Sequence, residues 1–304
     1  GLRGRAKTCG YKVVEVYERQ SKEVDGDGLY KVSHEVKESR KPTEPTAGDV
    51  WIHVGKGLQW EFYRDCQNSF AAQRVYCILY QSDPVDVEAG PGICEIWEYS
   101  AADIPKAPVV RYVPPGYRPL WQGRNDQELS TFNTSRMEWV FLGYLGKVQR
   151  LECWNHLRSM PELQHVIFTN YSNVWRKSDW QELARRPNVL FLNMHGNCNS
   201  TRIRDGLETV RISTILSFGG LMVSQTANDF EMNLFQNIVI FEQNLFKSYS
   251  NWSPKFRELL GNSTKMTAFR RRAYSLYKRK FHPGRILETA QVWKGQLGGP
   301  NCST

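Results

Sequence analysis

The chain has 304 residues, 40% of them apolar, which is enough to fill two cores of ordinary domain size and excludes global disorder. Its formal net charge of +9 favours anionic partners, and no run of 18 apolar residues is present to span a bilayer. Seven cysteines contain no Cys-x-x-Cys pair, which argues against a zinc site, and an odd count gives no clean disulfide framework.

Gly1 is not an initiator Met, as expected of a processed or incomplete chain, so a missing signal peptide or anchor is uninformative. Residues 11–20 alternate apolar and polar and read as a strand, whereas residues 20–48 are charged and Pro-containing and read as a long loop. Short runs at 49–54, 74–80, 93–99 and 109–113 are rich in β-branched and aromatic residues and read as strands, with a helical pattern at 60–72. The polar stretch 118–136 reads as a linker. The expected organisation is an N-terminal acceptor-side domain over 1–120, a linker over 121–138, and a C-terminal domain over 139–304.

From Trp139 the alternation sharpens. Strands are expected at 139–146, 165–169, 189–193, 221–224 and 238–241. Helices are expected at 147–159, 178–186, 207–217, 253–260 and 264–277. Strand–helix alternation with short connections predicts a parallel sheet covered on both faces, so 139–296 is expected to be Rossmann-like.

Three segments carry chemistry on this reading. Phe141-Leu142-Gly143-Tyr144-Leu145-Gly146 ends a strand and opens a helix at Lys147. A Gly turn exposes backbone N–H groups, a helix N-terminus adds positive potential, and Lys147 and Arg150 add charge, a set that suits a diphosphate. Leu192-Asn193-Met194-His195 places a histidine just beyond another strand. Glu208 and Arg211 open the next helix. Glu208 complements the helix dipole, or it accepts hydrogen bonds from sugar or ribose hydroxyls while Arg211 faces phosphate. His53, at the end of an N-terminal strand, is the best-placed candidate base.

Asn-x-Ser/Thr sequons occur at Asn133, Asn170, Asn199, Asn251, Asn262 and Asn301, more than random placement gives. They point to the secretory-pathway lumen or the extracellular space, with Asn251 and Asn262 the candidate glycan sites. The run Arg270-Arg271-Arg272 with Lys278-Arg279-Lys280 reads as the solvated face of a terminal helix.

Taken in order, FLG, LNMH and LETVRISTILSFGGLMVSQ resemble the GT-B glycosyltransferases, in particular the spore-maturation glycosyltransferase-like type with algal and viral relatives. Weaker matches are VWIHVG, RVYCILYQSD, EIWEYSAADI and VRYVPPGYRPL. The resemblance implies a GT-B-like α/β fold of two Rossmann-like parallel-sheet domains, the first shortened. It implies a nucleotide-sugar donor bound by Gly143, Lys147, Arg150, His195, Arg211 and Ser224, with Glu208 and His53 as catalytic candidates. The donor is a substrate; no bound cofactor and no metal are implied, and no Asp-x-Asp metal site is evident. The acceptor would be a glycan, a protein or a small molecule in the interdomain cleft; nucleic acid is disfavoured. Two features depart from the family pattern: Leu216 stands eight residues after Glu208, where many retaining members have a second Glu, and Gln225 stands where relatives of this type have Glu. These departures keep open an inactive structural subunit with protein assembly partners.

Overall fold

The structure, a computed structural model, describes residues 20–24, 30–34, 50–55, 76–81, 95–98, 110–117, 129–171, 177–195, 198 and 207–289. Structural statements below concern these residues. The strand expected at 11–20, Gln20 apart, and the helix expected at 60–72 lie outside them.

The N-terminal part contains a β-hairpin, β1 (Gln20–Val24) with β2 (Tyr30–His34), antiparallel with Gln20 opposite His34. This corrects the reading of 20–48 as a loop: the strands are short and polar, and period-2 alternation over five residues is a weak signal. A parallel sheet follows, in the order β3 (Val50–Gly55), β4 (Tyr76–Gln81), β5 (Glu95–Glu98), β6 (Val110–Tyr112). Ile78, Ile96 and Trp97 are buried, the apolar positions that made these runs legible.

The C-terminal sheet contains β7 (Glu138–Leu142), β8 (Ile167–Tyr171), β9 (Val189–Asn193), β10 (Leu221–Ser224) and β11 (Ile240–Phe241), all parallel, in the spatial order β11-β10-β9-β7-β8. The helices are α1 (Val148–Ser159), α2 (Lys177–Arg185), α3 (Thr209–Ser217), α4 (Asp229–Leu234), α5 (Pro254–Leu260), α6 (Ser263–Lys280) and α7 (Pro283–Thr289). The expected parallel domain is therefore present. Two short helices were not expected: α4, whose N-cap Asn228 accepts a hydrogen bond from the Glu231 N–H at 2.9 Å, and α7.

Every residue of β7, β9 and β10 is buried, and successive side chains go to opposite faces. Val140, Leu142, Phe191 and Met222 join one core with Ile215 of α3 and Tyr277 of α6. Trp139, Phe141, Leu190 and Val223 join the other with Trp154 of α1 and Phe256 of α5. At α3's end, Gly219 adopts φ +77°, the left-handed region where a Cβ is costly, and its carbonyl accepts from Arg270 Nε at 2.8 Å.

Residues before β7 are packed rather than free. Phe132 is buried and its N–H donates to Thr267 Oγ1 at 2.8 Å. The helical tail returns to the end of the first sheet: Tyr117 N–H donates to the Phe281 carbonyl at 2.8 Å, and Tyr277 O–H to the Pro115 carbonyl at 3.2 Å.

Candidate functional site

In the order β8-β7-β9-β10, successive connections leave β7 in opposite directions, first outward to β8 and then back across to β9. The carboxyl ends of β7 and β9 therefore flank a topological switch point, where open α/β sheets form their ligand crevice.

Gly143 follows β7 directly. Its N–H donates to the Tyr171 carbonyl at 3.1 Å, and the Asn170 side-chain amide donates to the carbonyls of Phe141 at 3.1 Å and Gly143 at 2.9 Å. The Asn170 sequon nitrogen is thus engaged in holding the turn. A Cβ at Gly143 would stand 2.9 Å from Phe141 Cζ and 3.0 Å from Arg211 Nη2, so glycine lets the backbone lie against a guanidinium. Helix α1 then starts with exposed Lys147 as its N-cap, without a side-chain cap and with no acidic residue in its first turn. Its free N–H groups and positive end are unopposed there.

Arg150 is buried and ties three segments together. Nη1 donates to the Tyr144 carbonyl at 3.0 Å, Nη2 to the Met194 carbonyl at 3.2 Å and Nε to the His195 carbonyl at 3.4 Å. Nη2 also reaches Glu208 Oε1 at 3.1 Å. One helical turn on, Cys153 forms a disulfide with Cys198, three residues beyond His195. The turn after β9 is thus fastened to α1 twice, once by charge and once covalently. Nothing in the spacing of the seven cysteines indicated this pairing.

Glu208 is the N-cap of α3, and its second oxygen, Oε2, pairs with Arg211 Nη2 at 2.5 Å. Arg211 and Arg150 both lie over the Phe141 ring, at 5.3 and 5.4 Å from its centroid, a contact for which the residue's place two before Gly143 was the only sequence signal. Burial pushes the Arg211 guanidinium down from its ordinary value, Glu208 offsets this, and Arg150 adds to it. Arg211 Nη1 is buried and has no hydrogen-bond partner.

His195 is buried. Its Nε2 lies 3.2 Å from the Thr226 carbonyl, which can only accept, so the proton sits on Nε2. Its backbone N–H donates to Gln225 Oε1 at 3.3 Å, which links the ends of β9 and β10. Ser224 is fully buried, and its Oγ accepts from Asn193 Nδ2 at 3.0 Å, while Asn193 Oδ1 is buried without a partner.

Gly143, Arg150, His195, Glu208 and Arg211 are thus brought together. Lys147 stands exposed at the head of α1, and Ser224 lies one strand further along, inside the sheet. His53 is on β3 of the other sheet, opposite Leu79 in register. Sequence reasoning missed Glu231, fully buried, whose Oε2 accepts from the Leu207 N–H at 2.6 Å and from Asn228 Nδ2 at 2.8 Å. Its spacing from Asn228 is that of a capping box, a signal present in the sequence. Among the described residues, no group of three or more His, Cys, Asp or Glu side chains could hold a metal ion.

Neither a protein-family model nor a curated protein matches the chain. The solved structures similar to it include the three that follow. TarM matches at 8% identity and a TM-score of 0.47, over 80% of this chain and 54% of its own, so the chain spans about half of TarM's length. WaaG, a glycosyltransferase involved in lipopolysaccharide biosynthesis, matches at 10% identity and a TM-score of 0.40, over 81% of this chain and 98% of its own. The spinosyn rhamnosyltransferase SpnG matches at 12% identity and a TM-score of 0.35, over 76% of this chain and 69% of its own. At these scores the likenesses carry no weight for activity. The class of fold rests on the chain's own topology: a four-stranded and a five-stranded parallel sheet in tandem, the second covered by helices whose tail returns to the first, form a GT-B-like arrangement.

Proposed function

We propose that the crevice between β7 and β9 binds the diphosphate of a nucleotide sugar, and that the protein transfers the sugar to a glycan, protein or small-molecule acceptor lying between the two sheets. The carrying observation is Arg211: a guanidinium held against the Gly143 turn, with one buried nitrogen lacking a partner. A buried donor on a cation without an acceptor is costly, and a phosphate oxygen supplies the acceptor. The uncapped start of α1 and exposed Lys147 supply more positive potential for the leaving diphosphate, so this reading calls on no resident metal. Glu208 and Arg150 act through Arg211 and the turn after β9, setting their positions.

A thermal-shift series with uridine, guanosine, cytidine and adenosine diphosphates tests the reading. One of them at 100 times its dissociation constant is expected to add about 2.7 kcal/mol of stability. No shift with any of them in well-folded protein would remove the reading. A second reading, an inactive structural subunit, is favoured by the mutual saturation of Arg150 and Glu208. Binding without donor hydrolysis or transfer would support it.

The Cys153–Cys198 disulfide and the sequons together favour an oxidising secretory-pathway or extracellular compartment. Asn251 is exposed and Asn262 half-buried at the head of α6, and both are candidate glycan carriers. Endoglycosidase treatment of secreted protein is expected to lower its mass, and an unchanged mass would count against this.

A further inference from the structure

Helix α6 carries seven basic and no acidic residues over 18 positions. Part of that charge is structural: Arg270 is buried, with Nε on the Gly219 carbonyl and Nη2 on the Ala184 carbonyl, and the bases of the last turn complement the helix dipole. Neither accounts for Arg272 or for its alignment with Arg279, itself one of the last-turn bases. Lys265, Ala268, Arg272, Ser275 and Arg279 are all exposed and recur at intervals of three and four, so they form one straight stripe along the solvent side. Lys265 leans on Glu258 of α5, whereas Arg272 and Arg279 have no carboxylate on their own helix. These two stand seven residues apart, two turns, or about 10 Å along the axis. Only a small side chain, Ser275, lies between them, so a partner can approach the helix closely.

We propose that this stripe docks a linear acidic polysaccharide. Two successive sugar units span about the same length as two helical turns, so a chain with an anionic group on alternate sugars meets the cations in register. A bilayer is the poorer match, because the one exposed apolar side chain on the stripe is the methyl group of Ala268, too small to enter the acyl boundary. Nucleic acid is also poorer. The opposite face of α6 is buried through Met266, Ala273 and Tyr277, so the helix cannot enter a groove, and no exposed aromatic on the stripe offers a stacking surface. The inference is independent of the donor reading, since it uses no residue of the crevice.

The test compares wild type with R272Q/R279Q and with R158Q/K247Q, which removes the same charge from exposed positions off the helix. Heparin, vesicles of phosphatidylserine and single- and double-stranded DNA are titrated at physiological salt, with thermal unfolding of each variant as the fold control. Heparin is expected to bind wild type and R158Q/K247Q alike and R272Q/R279Q roughly tenfold or more weakly. Equal loss in both variants would assign the binding to net charge and overturn the proposal. Tighter binding of vesicles or DNA than of heparin, or no heparin binding, would overturn it as well.

Discussion

At the scale of single residues, the crevice depends on close approaches that glycine permits. Gly143→Ala pushes a methyl against the buried Phe141 ring and the Arg211 guanidinium. A destabilisation of about 1–3 kcal/mol is expected by denaturant titration, the usual range for overpacking. Gly219→Ala adds a side chain at φ +77°, which is expected to cost about 1–2 kcal/mol. Unchanged stability in either variant would show that the surroundings yield more easily than these distances imply. The residue types of the crevice were legible because each stands at a strand end or helix start, and the topology collects those ends on one edge. Their partners were not. Nothing in the spacing of Arg150 indicates that its guanidinium is taken up by the carbonyls of Tyr144, Met194 and His195 as well as by Glu208. Such contacts arise only once β7 and β9 lie side by side.

At the scale of elements, β9 and β10 begin and end where the sequence predicted, because three- or four-residue apolar runs bounded by polar residues or glycine leave little choice. The hairpin β1–β2 and the six-residue α4 were lost for the opposite reason: short, polar elements carry little periodicity. The Cys153–Cys198 bridge was invisible, since seven scattered cysteines allow many pairings. Its sequence separation of 45 closes a long loop in the unfolded chain. Cys153→Ala is therefore expected to lower unfolding stability by roughly 2–4 kcal/mol. Reductant should lower wild type to the level of the variant and leave the variant unchanged. A wild type indifferent to reductant would show that the bridge contributes nothing.

At the scale of the whole molecule, the sequence revealed two parallel sheets but not how the tail joins them. Tyr277 is fully buried, stacks on Phe281 at 4.8 Å and hydrogen-bonds Pro115, so α6 supports both the second core and the end of the first sheet. Tyr277→Ala is expected to cost about 3–5 kcal/mol, as other large aromatic truncations do. Burial pushes Arg270 on the same helix down to about 10, so it remains cationic at neutral pH while bonding the Gly219 and Ala184 carbonyls. The basic helix thus divides its charge, inward to fasten elements and outward to meet a partner. Diphosphate binding in the crevice turns on Arg211. Calorimetric titration of the nucleoside diphosphate giving the largest thermal shift, into wild type and Arg211→Ala, measures it directly. The expected result is binding to wild type and a loss of roughly 1.5–3 kcal/mol in the variant, the range for hydrogen bonds to charged groups. Equal affinity in the two proteins, both folded, would contradict the assignment of Arg211 to the phosphate site.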